Sequence, residues 1–337
     1  MPNKNLKDFD LAELRKLGEK PFYGSILFTW LHNKAAASIA EITALPKTFR
    51  ADLQSNGFVV ENLQLLKRAD DPDGTRKYLF NLPDGQKIET VLLRDGDRRT
   101  LCVSTQVGCR MACAFCATGR MRFRRNLSAG EIVDQVIQVE KIEKTKIQNL
   151  VYMGMGEPLD NYENVLKSIR ILNNQAGKNI GARHITISTC GLVPGIEKLA
   201  DEGLQVRLAV SLHAATDAVR GKLMPINKKY PVADLRRALQ NYQKKTGRRL
   251  TFEYIMLDGV NDTREHARGL LKLLGGLSAQ INLLEYNPHL RADFRPSPRK
   301  TIREFWWITT DRGFATAIRY KRGQNISAAC GQLYADN

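Results

Sequence analysis

From residue 100 to residue 312 the chain repeats one unit: a short apolar run, then a longer stretch with helical periodicity. No other feature limits the fold as much, because successive βα units build a parallel sheet with right-handed crossovers. Runs 100–105, 148–153, 184–189, 205–212, 251–257 and 281–286 read as strands. Runs 129–144, 160–174, 194–202, 232–246, 263–276 and 299–312 read as helices. A seventh apolar run, 314–320, would add a strand. Six units are fewer than a closed eightfold barrel needs, so an open barrel or a doubly wound sheet remains. Both folds place their sites just past the carboxyl ends of the strands.

Two segments precede this core. Residues 1–55, broken near Pro21 and Pro46, have mixed helical periodicity and form a small helical N-terminal domain. Residues 56–99 change character. Pro83-Asp84-Gly85 between apolar runs is turn chemistry, so 78–82 and 87–93 pair as a hairpin. A second turn at 94–97 leads into the first strand of the core, which spans 100–320 and is followed by a short tail, 321–337.

Lys and Arg total 52 against 35 Asp and Glu, a net charge of +17. Such an excess favours a polyanionic partner, because basic side chains displace counterions from phosphates. No apolar run reaches membrane-span length and no secretory h-region is present at the N-terminus, so the cytosol is the expected compartment. Six cysteines in a cytosolic chain of 337 residues point to metal ligation or thiol chemistry rather than a disulfide scaffold.

Four of those cysteines lie in "CVSTQVGCRMACAFC", residues 102–116. Cys109, Cys113 and Cys116 have the spacing C-x3-C-x2-C in the loop after the first core strand. A structural zinc site needs a fourth ligand, and the next candidates are as far away as His184 and Cys190. A 4Fe–4S cluster normally takes four cysteines. With three, one iron stays open for a substrate or cofactor.

The cysteine spacing, with an aromatic residue before the last cysteine, resembles the signature of the radical SAM superfamily. That resemblance implies S-adenosylmethionine on the open iron. "VYMGMGEPLDN", after the second strand, is similar to the family's "GGEP" motif, so Gly156 and Glu157 would hold the methionine ammonium. Ser188 at the end of the third strand, Ser211, Leu212 and His213 at the end of the fourth, and Asn287 after the sixth would meet ribose and adenine. Taken singly, each is an ordinary strand-end residue, and His213 alone reads as structural. Cys190 reads as a small buried residue.

"CVSTQVGCRMACAFCATG", "MGMGEPLDNY", "SLHA", "LMPINKKYP", "YIMLDGVND" and "AACGQL" occur in order and resemble the RlmN/Cfr family of radical SAM RNA methyltransferases. The resemblance implies an open parallel (β/α)6 partial barrel. It also implies roles for the two remaining cysteines. Cys330, on a mobile tail, would accept a methyl group from one S-adenosylmethionine. A radical from a second would activate that carbon for addition to adenine, and Cys102 would release the product by forming a disulfide with Cys330. Glu89 matches the family's proton acceptor, although alone it reads as a hairpin surface carboxylate.

Glu157-Pro158 and "FEYIML", with Glu253, resemble the adenine C2 branch rather than the C8 branch that confers antibiotic resistance. The implied targets are an adenosine of 23S rRNA and the adenosine beside the tRNA anticodon. The implied electron donor is of flavodoxin or ferredoxin type, and the protein is expected to be a monomer. Basic runs at 120–126, 244–249, 291–303 and 319–323, with Phe123 and Phe294 interleaved, would bind RNA and stack on bases, with the target adenine extruded into the barrel mouth. An RNA-binding iron–sulfur protein without methyl transfer is the reading from another class.

Overall fold

The computed structural model describes residues 4–18, 20–288 and 294–335. The N-terminal segment closes on itself. Strand β1 (Lys4–Asn5) pairs in parallel with β2 (Phe58–Val59), and α1 (Leu11–Leu14), α2 (Pro21–His32) and α3 (Lys47–Ser55) lie between them. Lys7 anchors this segment to the core. Its buried ammonium meets Asp134 at 2.5 Å and Asn62 Oδ1 at 2.7 Å.

Next comes an antiparallel meander of β3 (Gln64–Asp70), β4 (Arg76–Asn81), β5 (Lys87–Asp95) and β6 (Arg98–Cys102). The expected hairpin is there, with Leu79 opposite Glu89. Strand β3 was not anticipated. It is the sheet's outer edge, mostly exposed, and "QLLKRAD" shows neither alternation nor a buried run.

Strand β6 turns the sheet parallel. After it the short pair β7 (Gln106–Val107) and β8 (Arg125–Asn126) brackets the cysteine loop. The alternating units follow: α4 (Ala129–Glu143), β9 (Asn149–Tyr152), α5 (Tyr162–Asn173), β10 (Ile185–Thr189), α6 (Val193–Asp201), β11 (Arg207–Ser211), α7 (Asp217–Leu223) and α8 (Val232–Thr246). The last are β12 (Leu250–Met256), α9 (Arg264–Leu274), β13 (Ala279–Glu285), α10 (Arg299–Asp311) and β14 (Ala315–Arg319). Ten strands form one sheet in the order β14-β13-β12-β11-β10-β9-β6-β5-β4-β3, and every pairing from β6 to β14 is parallel. The sheet is therefore an open partial barrel, and the seventh apolar run is its terminal parallel strand.

Local chemistry fixes the helix ends. Ser128 and Glu131 form a capping box at the start of α4, and α8 stops at Gly247 in the left-handed region. Helix α7 was missed because its seven residues are too few to show a period.

On β12 the alternation sorts the two faces. The Tyr254 ring packs at a tilt against Phe305 of α10 with ring centroids 5.1 Å apart, so Phe252 and Tyr254 face the helices. Glu253 and Ile255 face the lumen, where Ile255 packs in a second core with Phe115, Leu223, Met224, Leu257 and Tyr286. No helix among the described residues is long and apolar enough to cross a membrane.

Candidate active site at the barrel mouth

Strand β6 delivers the cysteine loop to the carboxyl edge of the sheet. The loop is pinned where it turns. Gly108 has φ 74°, and a Cβ there would lie 2.3 Å from the Arg122 carbonyl. Ala114 N–H donates to the Leu223 carbonyl at 2.9 Å, and Cys116 N–H to the Cys113 carbonyl at 3.1 Å. Met111 N–H points at the Cys109 sulfur, and the Thr118 and Gly119 N–H groups point at Cys116. Burial pushes all three loop thiols up, Cys109 to about 12, because thiolates without a counter-charge are disfavoured in this apolar setting. A bound cationic centre would reverse that. Among the described residues no group of three His, Cys, Asp or Glu side chains could hold one metal ion, so a mononuclear zinc has no ready cage. A polynuclear cluster is several ångström across and needs its thiolates further apart. Three thiols, two of them facing amide donors, fit such a cluster with one open iron.

The second strand's loop supplies a carboxylate beside it. Gly156 has φ 102°, and a Cβ there would fall 2.6 Å from the Gln106 side chain, so only glycine lets the two loops touch. Glu157 is buried. Its Oε2 accepts from Cys190 N–H at 2.8 Å and its Oε1 from Leu159 N–H at 3.1 Å. Desolvation raises its pKa, and it has no ion-pair partner among the described residues. A buried carboxylate held by amides but lacking a cation fits an ammonium ligand.

Further around the rim, the Ser188 and Ser211 hydroxyls have no hydrogen-bond partner among the described residues, and Asn287 Oδ1 is buried and unpartnered. Leu212 N–H donates to the Glu253 carbonyl at 3.1 Å. His213 is different. It adopts φ 59°, its ring packs edge-on to Phe115 at 4.6 Å, and its Nδ1 accepts from Ile255 N–H at 3.1 Å. Burial, with Arg220 nearby, holds it down to about 3, so it is a neutral brace for the cysteine loop rather than a base.

Sequence reasoning missed Arg220 and undervalued Cys190. The fully buried Arg220 donates to the carbonyls of Cys190 at 2.5 Å and Leu212 at 3.3 Å, and to Asn227 at 2.9 Å. It ties the third and fourth strand ends together. A lone arginine in "AVRGKLMPIN" carries no signal of that. The Cys190 thiol also hydrogen-bonds Glu157, so this cysteine braces the carboxylate.

The largest departure from expectation is the tail. It is a docked strap, not a mobile segment. At its start Arg322 meets Asp95 and the Arg94 carbonyl, Gly323 N–H donates to Asp73 at 2.8 Å, and Asn325 N–H to Asp71 at 3.0 Å. Lys77 then donates to the Ser327 carbonyl at 3.2 Å and pairs with Glu89 at 2.7 Å. Glu89 Oε2 accepts from Tyr334 N–H at 2.8 Å. Between these ties, Ala117 N–H donates to the Gly331 carbonyl at 2.7 Å and the Thr118 hydroxyl to the Leu333 carbonyl at 2.6 Å. The strap thus crosses from β14 to the meander, bridging both free edges of the sheet over the cysteine loop. Glu89 is a buried clasp, not a surface carboxylate.

Cys330 sits on this strap. It is exposed, and desolvation by the surrounding protein, then the charge of Glu253, raises its thiol to about 11. Cys102 ends β6, shares a face with Glu89 through the Val91–Cys102 pairing, and is raised by burial and then by Cys330. All six cysteines are free, so no standing disulfide joins Cys102 and Cys330.

The basic runs divide. Arg120, Arg122 and Arg124 are exposed beside the mouth, with no acidic partner among the described residues. Arg110, in the cysteine loop, covers the Phe123 ring at 3.7 Å. Residues 244–249 lie at the amino end of β12, opposite the site. Phe294 packs against Tyr286 at 6.3 Å rather than standing free to stack. Part of the run 291–303 lies outside the described residues.

An open parallel sheet with a three-cysteine loop at its carboxyl edge defines a radical SAM enzyme, and residues 103–273 match the family model for the Radical SAM superfamily. Residues 4–59 match that of the ribosomal RNA large subunit methyltransferase N-terminal domain. A probable dual-specificity RNA methyltransferase RlmN from Caldicellulosiruptor saccharolyticus is 46% identical over 332 residues, 97% of this chain and 96% of that one. The Thermotoga maritima protein of the same description is 46% identical over 98% of this chain and 97% of its own. A crystal structure of a radical SAM methyltransferase from Sphaerobacter thermophilus superposes with a TM-score of 0.93 at 45% identity, covering 98% of this chain and 99% of that one. The chain belongs to the RlmN family of radical SAM methyltransferases.

Proposed function

We propose that this protein methylates C2 of an adenosine in 23S rRNA, and of the adenosine beside the tRNA anticodon, through a methylated cysteine. Cys109, Cys113 and Cys116 hold a 4Fe–4S cluster. Gly156 and Glu157 take the ammonium of S-adenosylmethionine, and Ser188, Ser211, Asn287 and the backbone of Leu212 and His213 take its ribose and adenine. Bound there, these groups supply a methyl group and, with an electron from a flavodoxin- or ferredoxin-type donor, a 5′-deoxyadenosyl radical.

The chain's own residues do the rest. Cys330 accepts the methyl group and presents its carbon to an adenine extruded from the RNA. Cys102 releases the methylated RNA by forming a transient disulfide with Cys330. Glu89, on the same face as Cys102, accepts the proton lost in the RNA step. Exposed Arg120, Arg122 and Arg124 meet phosphates at the rim. The description of relatives as dual-specificity enzymes supports two RNA substrates. A cytosolic monomer is the working form.

The strap carries the reading: two thiols outside the metal loop stand at one mouth, and the tail bearing one of them is tied down beside the cysteine loop. The test is mass spectrometry of adenosines from rRNA and tRNA incubated with reconstituted protein, S-adenosylmethionine and reductant. The expected product is 2-methyladenosine, with a covalent protein–RNA adduct accumulating in Cys102→Ala and no methyl acceptance in Cys330→Ala. The C8 isomer would assign the chain to the other branch. Unmodified RNA, with both variants behaving as wild type, would leave an iron–sulfur RNA-binding protein.

A further inference from the structure

Glu253 is the buried carboxylate of the lumen that the mechanism above does not use. Register places it in a polar row. It is level with Ser211 on β11 and with Asn282 on β13, and paired residues of parallel strands point to the same face. Glu253 Oε1 accepts from Asn282 Nδ2 at 2.9 Å, and Asn282 Oδ1 accepts from Arg319 Nε of β14 at 3.3 Å. The second carboxylate oxygen has no partner among the described residues. The strap passes over this row. Gly331 is fixed to the cysteine loop at Ala117, and Gln332 donates to the Pro288 carbonyl beyond β13 at 3.1 Å. Cys330 precedes both.

We propose that Glu253 is the base that receives the Cys330 proton when this cysteine takes its methyl group, directly or across one water. The inference rests on the acceptor role given to Cys330 above. The Cys330 S–H bond breaks, and its proton goes to the free Glu253 oxygen. The sulfur electron pair forms the S–CH3 bond. The methyl–sulfonium bond of the donor breaks, and its electron pair stays on the donor sulfur as a neutral thioether. No oxidant or reductant is needed.

The ionisations are matched to this task. Desolvation lifts Glu253 to about 7, partly offset by Asn282 and Arg319, so the carboxylate is available at neutral pH. Of the charges acting on the Cys330 thiol, Glu253 is the strongest, ahead of Cys116. Arg319 is the charged group that faces Glu253, and Cys330 the titratable one; on β11 the Ser211 side chain lies level with it.

The test isolates the first half-reaction. Reconstituted full-length protein is mixed with labelled S-adenosylmethionine without reductant or RNA, and methyl-Cys330 is followed by peptide mass spectrometry from pH 6 to pH 10. The wild-type rate should level off above about pH 7, whereas Glu253→Gln, which keeps the Asn282 hydrogen bond, should be slower by about 10²-fold at pH 7 and climb steadily with pH. Alkylation of Cys330 by iodoacetamide, in the open mouth where bulk water takes the proton, should move the other way. Losing the negative neighbour lowers the thiol pKa, so E253Q alkylates faster at pH 8. A wild-type methylation rate that climbs without a plateau, or an E253Q protein matching wild type in both assays, overturns the inference, and the wild-type profile decides even if the variant does not fold. Absence of methyl-Cys330 in wild type overturns the acceptor role itself, and this inference with it.

Discussion

Lys77 is the side chain whose removal best tests whether the strap is held as described. It holds the strap's Ser327 carbonyl and neutralises Glu89, which in turn holds the Tyr334 amide. Its side chain is 17% exposed and that of Glu89 5%, so the pair lies between two limits. A fully buried pair loses about 3–5 kcal/mol when one partner is removed, and a surface pair about 0–1 kcal/mol. Lys77→Met should therefore cost about 2 kcal/mol, borne by the strap, because both ends of the clasp release together. At 1.4 kcal/mol per decade this raises the open population about 30-fold. Hydrogen exchange with mass spectrometry reads it directly: peptides covering 323–335 should exchange about 30-fold faster, while β12 and β13 stay unchanged. Methyl acceptance by Cys330 should fall in parallel, since the thiol spends less time over the site. Strap exchange within about threefold of wild type would refute the clasp.

Glu157→Gln should weaken binding of S-adenosylmethionine by about tenfold to a hundredfold, the range for losing one charge-assisted hydrogen bond, without changing iron content. Equilibrium dialysis of reconstituted protein measures this, and unchanged affinity would remove Glu157 from the ammonium site. His32 is buried and held down to about 3, so the unfolded chain takes up its proton near pH 6.5 while the folded chain does not. Stability from this residue is complete above pH 6.5 and is lost as pH falls towards 3. His32→Leu should therefore shrink the drop in unfolding free energy between pH 7 and pH 5 by about 2 kcal/mol in urea titrations. An identical pH slope in both proteins would contradict a neutral buried imidazole.

What could be read from sequence was what local pattern encodes. Strands β9 to β13 lie between solvent-shielded faces and read as apolar runs, and the turn at Pro83–Gly85 announced its hairpin. The cysteine spacing, Glu157 and the strand-end polar residues were visible because each sits at a fixed offset from a recognisable strand. The strap was not, because its partners lie in distant parts of the chain: Asp71, Asp73, Lys77 and Glu89 on one side, Ala117 and Thr118 on the other. Its own residues, "GQNISAACGQLYA", are small and polar with no period, which reads as a loose end. Arg220 escaped for a related reason, since its bonds go mostly to main-chain carbonyls, which leave no imprint on side-chain pattern. The basic runs misled in the opposite sense, because linear clustering says nothing about which end of a barrel a charge occupies.

Chains fold as they are made, N-terminal parts first. The ten-stranded sheet and the three-cysteine loop precede Cys330 in the chain, so the cradle on which the strap docks is synthesised before the strap itself. With Cys330 in the acceptor role proposed above, a polypeptide cut short ahead of the strap would keep Cys109, Cys113 and Cys116 and lose the methyl carrier.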